Sequence, residues 1–216
     1  GRNAYHEAAY MGDIEIIKLI RNAGGNPLAR DKQGNTPFSI VINKNIETIR
    51  EILGSSYNIT DSDGNTPVHI VIKTHAPKEL LRLLIDEGYP LDTKNSDGYT
   101  ALTYAIEDDD VTTALILLEN GANPFQLIDK KGRNGVSIAL EKNNKTMIGN
   151  IVKYAGDLTD VQGNTILHYA AKTSSADIIR TLLSYGLDKS IKNNSGDTAY
   201  TIAKRWKRPD VAKLLQ

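Results

Sequence analysis

Cysteine is absent from the 216-residue chain. That excludes disulfides, cysteine-ligated zinc and thiol nucleophiles. It suits an oxidising compartment as well as a reducing one, so localisation stays open. An excess of either charge is missing too: 26 Lys and Arg balance 26 Asp and Glu. The chain as a whole is therefore no electrostatic trap for nucleic acid or an anionic membrane. No apolar run approaches the roughly 20 residues that span a bilayer. Also missing are a P-loop, a His-Glu-x-x-His helix, a Gly-x-Ser-x-Gly elbow and a dinucleotide glycine fingerprint. No enzyme activity, cofactor or metal is expected.

What the chain does contain is a recurring phrase. Asp61-Ser62-Asp63-Gly64-Asn65-Thr66-Pro67-Val68-His69 joins an Asp/Gly turn to a Thr that can cap a helix and a Pro at the first helical position. Versions follow Asp31, Asn95, Asp160 and Asn193, with a worn copy at Gly1–Ala9. The marker glycines are Gly1, Gly34, Gly64, Gly98, Gly132, Gly163 and Gly196, giving steps of 33, 30, 34, 34, 31 and 33 residues. A period near 33 with a Thr-Pro-Leu-His-x-Ala pattern is the ankyrin signature. Over its whole length the chain resembles the ankyrin-repeat family.

The resemblance implies an all-α solenoid of about seven stacked helix-turn-helix units with β-hairpin finger loops, forming one domain over 1–216. The units run 1–33, 34–63, 64–97, 98–131, 132–162, 163–195 and 196–216. Units two and five have shortened loops, at Gly54–Thr60 and Gly156–Thr159. In unit five Asn134 and Gly135 replace Thr and Pro, and Gly149 in its second helix costs about 1 kcal/mol relative to Ala. Pro77 is expected to start a second helix, Asp13 and Asp110 to cap theirs, and Ser174–Asp177 to form a capping box. Alanines such as Ala9, Ala105, Ala139, Ala170, Ala171 and Ala203 keep first helices slim enough to stack. Shared loop lengths 98–99 residues apart suggest that a three-repeat block was duplicated. The chain begins inside a repeat and is expected to be a piece of something longer.

Residue roles follow from the same resemblance. His6, His69 and His168 occupy the family's structural histidine position and are expected to bond neighbouring loop backbone, while His75 sits in a turn. Partner-facing positions are the fingertips and the ends of each first helix, on an expected concave face. Among them are Arg30, Lys32, Lys44, Lys73, Tyr99, Glu107, Asp108, Lys131, Arg133, Lys142 and Lys172, with Asn65 and Asn164 also at tips. Tyr99 is the candidate hot spot, because aromatics are enriched there. The run Glu107–Asp110 reads best as a solvated turn closed by a capping Asp110. Lys204-Arg205-Trp206-Lys207-Arg208 holds the only Trp and reads as the polar outside of a terminal unit rather than a nucleic-acid stack. Asn58-Ile59-Thr60 and Asn144-Lys145-Thr146 match the glycosylation pattern, which is common by chance.

The resulting expectation is a monomeric, non-catalytic scaffold that binds a protein, with no membrane span and no nucleic-acid partner. The alternative is the regulatory or targeting repeat region of a larger enzyme or toxin.

Overall fold

The recurring phrases open helices for local reasons. In the computed structural model, which describes residues 1–54, 57–126, 132–156 and 158–216, Thr36, Thr66 and Thr198 sit in extended backbone. Their side chains accept the N–H of Ser39, His69 and Thr201, three residues on. Each bond satisfies one of the donors that a helix start leaves unpaired. Pro37 and Pro67 take the first turn, where a missing N–H costs nothing. Asn134 caps in place of Thr: its side chain accepts from Ser137 N–H at 2.9 Å, and the Ser137 hydroxyl accepts from Asn134 N–H at 3.0 Å.

Fourteen helices result among the described residues. They are α1 (Ala4–Met11), α2 (Ile14–Asn22), α3 (Pro37–Val41), α4 (Ile46–Leu53), α5 (Pro67–Lys73), α6 (Lys78–Asp86) and α7 (Ala101–Glu107), then α8 (Val111–Glu119), α9 (Gly135–Glu141), α10 (Lys145–Ala155), α11 (Ile166–Thr173), α12 (Ala176–Ser184), α13 (Ala199–Arg205) and α14 (Pro209–Leu215). They pair as helix-turn-helix repeats, so the fold is all-α. No strand occurs among the described residues. The fingers close as tight turns instead: Asp31 N–H donates to Asn35 O at 2.8 Å and Gly34 N–H to Asp31 O at 3.1 Å. The glycine of the turn has φ +83°, a left-handed value that suits Gly.

The chain divides into two compact units, Gly1–Ala101 and Leu102–Gln216. In the first, α1 packs on α3 and α3 on α5, while α2 packs on α4. Its core holds Tyr5, Ile17, Leu28, Phe38, Ile52, Leu81 and Leu84, none more than 2% exposed. In the second, α9, α11 and α13 form one row and α8, α10, α12 and α14 the other. Leu102, Ile106, Leu117, Met147, Ile151, Leu182 and Val211 are fully buried there. Ala9, Ala105, Ala170, Ala171 and Ala203 have no exposed surface, so first helices approach closely. Truncating a buried Leu in either core costs about 2–5 kcal/mol.

The turns between paired helices depend on left-handed residues. Gly12, His75, Asp109, Asn143 and Lys207 all have φ between +50° and +76°. His75 is thus an exposed residue that closes α5, since the left-handed conformation terminates a helix. Asp13 and Asp110 cap α2 and α8, accepting from Ile16 and Thr113 N–H. Two expectations shift by one residue. Pro77 is the N-cap of α6 and lies outside it, because its ψ of 137° is extended. Ser175, not Ser174, caps α12, accepting from Ile178 N–H at 3.4 Å; Ser174 ends α11. Gly149 of α10 lies against Tyr185, whose hydroxyl would be 2.6 Å from an added Cβ.

Candidate functional site: the finger and first-helix face

Five of the described fingers are each built around one Asp or Asn acceptor. In the second finger, Asp61 Oδ1 accepts the N–H of Asp63 and of Asn65, both at 2.9 Å. The Asn65 amide returns a bond to Asp61 at 3.1 Å. The third finger repeats the scheme with Asn95, whose Oδ1 accepts from Asp97 at 3.1 Å and Tyr99 at 3.0 Å. Asn95 Nδ2 then donates to Asn65 Oδ1 at 2.9 Å, and Ser96 N–H to Asp63 O at 2.8 Å. These bonds join finger to finger. Asn65, expected at an accessible tip, is 1% exposed and works as a strut. Burial alone would raise the Asp61 carboxyl, but hydrogen bonds from Asn65 and Arg30 outweigh it and hold the group below the usual carboxylate range.

The histidines tie fingers to helices. His69 Nε2 lies 3.0 Å from Tyr99 O, and Thr66 N–H lies 3.2 Å from Nδ1. A carbonyl only accepts, so Nε2 carries the proton and Nδ1 accepts. His6 and His168 make the same reach, to Asn35 O at 3.1 Å and Asp197 O at 2.9 Å. Burial pushes the His69 pKa down. Among the described residues, no group of three His, Cys, Asp or Glu is placed to hold a metal ion.

In the first unit a cleft of about 190 Å³ runs between fingers and first helices. It is lined by Arg30, Gly34, Asn35, Thr36, Ser39, Asp61, Asn65, Ile70, Lys73 and Thr74. It brings Arg30 and Lys73 to one surface. Arg30 is braced by Asp61 at 2.6 Å and Asp63 at 2.7 Å. Lys73 is exposed at the end of α5, and Lys32 is exposed on the first finger. Lys44 donates to Tyr10 O at 2.9 Å, fixing its ammonium beyond the end of α1. Tyr99 is half-buried, and its carbonyl receives His69.

In the second unit the predicted residues fall into separate pairs. Arg133 lies 3.7 Å from Glu107, and Lys142 lies 2.9 Å from Asp109. Asp108 is exposed. The Lys172 ammonium sits 4.8 Å from the centre of the Trp206 ring. Lys131, and with it the finger through Ile128 and Lys130, lies outside the described residues. The later fingers repeat the relay: Asn164 Nδ2 donates to Asp160 at 2.9 Å, and Asn193 Nδ2 to Asn164 Oδ1 at 2.7 Å.

A face of this construction is a property of a repeat, and comparison with known proteins bears on which repeat. Models of ankyrin repeats match residues 1–32, 39–127 and 136–216. The chain belongs to the ankyrin-repeat family. Human B-cell lymphoma 3 protein is 26% identical over 226 residues, covering 99% of this chain and 50% of that protein. A putative ankyrin repeat protein of fowlpox virus is 30% identical over 152 residues, covering 69% of this chain and 35% of that one. The chain thus spans about half the length or less of these curated relatives. Among solved structures, the ankyrin repeat domain of Bcl-3, a member of the IkappaB protein family, aligns with TM-score 0.70 and 27% identity over 100% of this chain and 98% of that one. A chain from the complex of a Bdellovibrio bacteriovorus predatory endopeptidase with its immunity protein aligns with TM-score 0.55 and 25% identity, over 100% and 97%. As an ankyrin-repeat domain like that of Bcl-3, the chain has the architecture of a protein-interaction scaffold. No helix among the described residues is long and apolar enough to cross a membrane.

Sequence reasoning missed Asp31, Asp61, Asn95, Asp160 and Asn193 as the organisers of this face. A signal was present, since each opens its phrase and is followed four residues later by the N–H it receives.

Proposed function

We propose that the chain is a non-catalytic scaffold that binds a partner protein on its finger and first-helix face. The observation that carries this reading is the construction of the fingers. Buried Asp and Asn side chains cross-link neighbouring turns, while Lys32 and Lys73 remain exposed on the same face. A surface ordered before binding loses little entropy on association. Arg30, Lys32, Lys44, Lys73 and Tyr99 serve the first unit, and Glu107, Asp108, Lys131, Arg133, Lys142 and Lys172 the second. Arg30, Lys44, Arg133 and Lys142 act as held charges, oriented by internal bonds.

The test is affinity capture from the native source with the wild-type chain and with Lys32→Glu/Lys73→Glu, which alters exposed groups alone. A protein captured by wild type and lost from the variant supports the reading and locates it in the first unit. Retention by both moves the site away from those residues. Absence of any captured protein counts against the scaffold role. A second reading, a regulatory or targeting region within a larger enzyme or toxin, draws support from the chain's coverage of only half of its curated relatives. Identification of the full open reading frame tests it: a frame holding only repeats excludes it.

A further inference from the structure

The C-terminal basic cluster divides into two kinds of residue. Arg208 is structural: its guanidinium donates to the carbonyls of Ala170, Ala171 and Ser174 at the end of α11. Cations there also offset the negative end of the helix dipole. Arg205 is occupied as well, 2.6 Å from Asp197. The lysines differ. Lys172, Lys204 and Lys207 are exposed and form no ion pair among the described residues. Lys172 lies over the Trp206 ring, and Lys204 lies 5.5 Å from the centre of the Tyr200 ring. Trp206, the only tryptophan, remains 52% exposed.

We propose that the ends of α11 and α13 form a docking patch for an acidic peptide segment with an aromatic or apolar side chain among its carboxylates. This deepens, and rests on, the scaffold reading. The lysines supply charge complementarity, and Trp206 supplies the kind of aromatic anchor that dominates interfaces. Arg208 fastens the exit of α13 to the end of α11, so the patch is ordered in advance. Nucleic acid fits less well. A strand-tracking surface needs an extended basic stripe, whereas this chain has pI about 7.1 and only three outward lysines here. An anionic membrane would require a broad apolar helix face, and α13 turns Thr201, Lys204 and Arg205 outward.

Trp206 makes the test site-specific, because all tryptophan emission comes from the patch. The full chain is titrated with acetylated Glu-Glu-Phe-Glu-Glu, with its Gln-for-Glu counterpart, with oligo-dT and with phosphatidylserine vesicles. The expected result is a saturable emission change with the acidic peptide alone, weakened by added salt. In Lys172→Glu/Lys204→Glu the affinity should fall at least about tenfold, and in Lys172→Arg/Lys204→Arg it should persist. Circular dichroism melting checks that each variant folds. An equal response to the Gln peptide, no response to the acidic one, or an unchanged affinity in the reversed-charge variant overturns the proposal. So does a stronger response to oligo-dT or to vesicles. Native-source capture separates the two readings. A partner held equally by wild type and by Lys172→Glu/Lys204→Glu overturns the patch and leaves the scaffold standing. No capture at all counts against the scaffold, while the titration still decides the patch.

Discussion

Asp61 in the first unit and Asp160 in the second build the same turn and are locked by different groups. Both accept two finger N–H groups and an Asn amide four residues on. Asp61 receives its further bond from Arg30, a neighbouring finger's guanidinium that stays one-third exposed. Asp160 receives it from the Tyr169 hydroxyl at 2.7 Å, on helix α11 of the repeat that follows. Both carboxyls lie below the usual range. In each, burial raises the pKa, and the hydrogen bonds outweigh it. These two fingers share a buried carboxylate with several donors, and the identity of the last donor varies between them. In the first unit that donor is a charged group linking two fingers; in the second it is a neutral hydroxyl linking a finger to helix α11.

Removing the shared element should have the largest effect. Asp61→Ala and Asp160→Ala each leave buried amides unpaired, and each should cost about 3–4 kcal/mol in urea unfolding. A loss under about 1 kcal/mol at either site would mean that the finger is held by its backbone alone.

Changing the variable donor should matter less and should separate the units. Tyr169→Phe deletes one bond to a carboxylate and should cost about 1.5–3 kcal/mol, independent of salt. Arg30→Ala should cost about 1 kcal/mol or less, since its guanidinium is partly exposed, and the loss should shrink at high salt. Equal salt dependence in the two variants would erase the distinction.

Acid should sharpen the comparison. His69 is held below its ordinary value of 6.5 by burial. The unfolded state then binds more protons just below that pH, so stability falls as pH drops from about 6.5 toward the folded value. Asp61 and Asp160 are depressed carboxylates. Their contribution is complete above about 3.9 and is lost as pH falls through their folded values. Urea midpoints measured across both windows should fall in two steps, and His69→Gln should flatten the upper one alone.

The smallest effect is expected at Gly149. An added methyl meets only the tip of Tyr185, a side chain that is 51% exposed and can turn away. Gly149→Ala should therefore stabilise α10 by up to about 1 kcal/mol. Destabilisation in a thermal melt would mean that Tyr185 is fixed where it stands.

Much of the fold was legible because each repeat announces itself locally. Thr66, Pro67 and His69 state a cap, a helix start and a finger bond within four residues, and the 33-residue recurrence states that neighbours stack. The face was less legible. Lys32 and Lys73, read as partner-facing, are exposed, whereas Asn65, read as a tip, is buried. Arg30 and Lys142 read as partner-facing positions, and their carboxylate partners within the chain lie 31 and 33 residues away. Such distances exceed any local pattern, and only stacking makes the groups neighbours.

The sequence by itself determined the helix pairs, their caps and their family, because capping and turn bonds form between residues three or four apart. Tertiary structure alone decided which charges face outward. Whether Arg208 braces α11 while Lys204 stays available depends on where a carbonyl of the preceding repeat comes to lie. That proximity comes from packing, where burying apolar area outweighs any single polar preference.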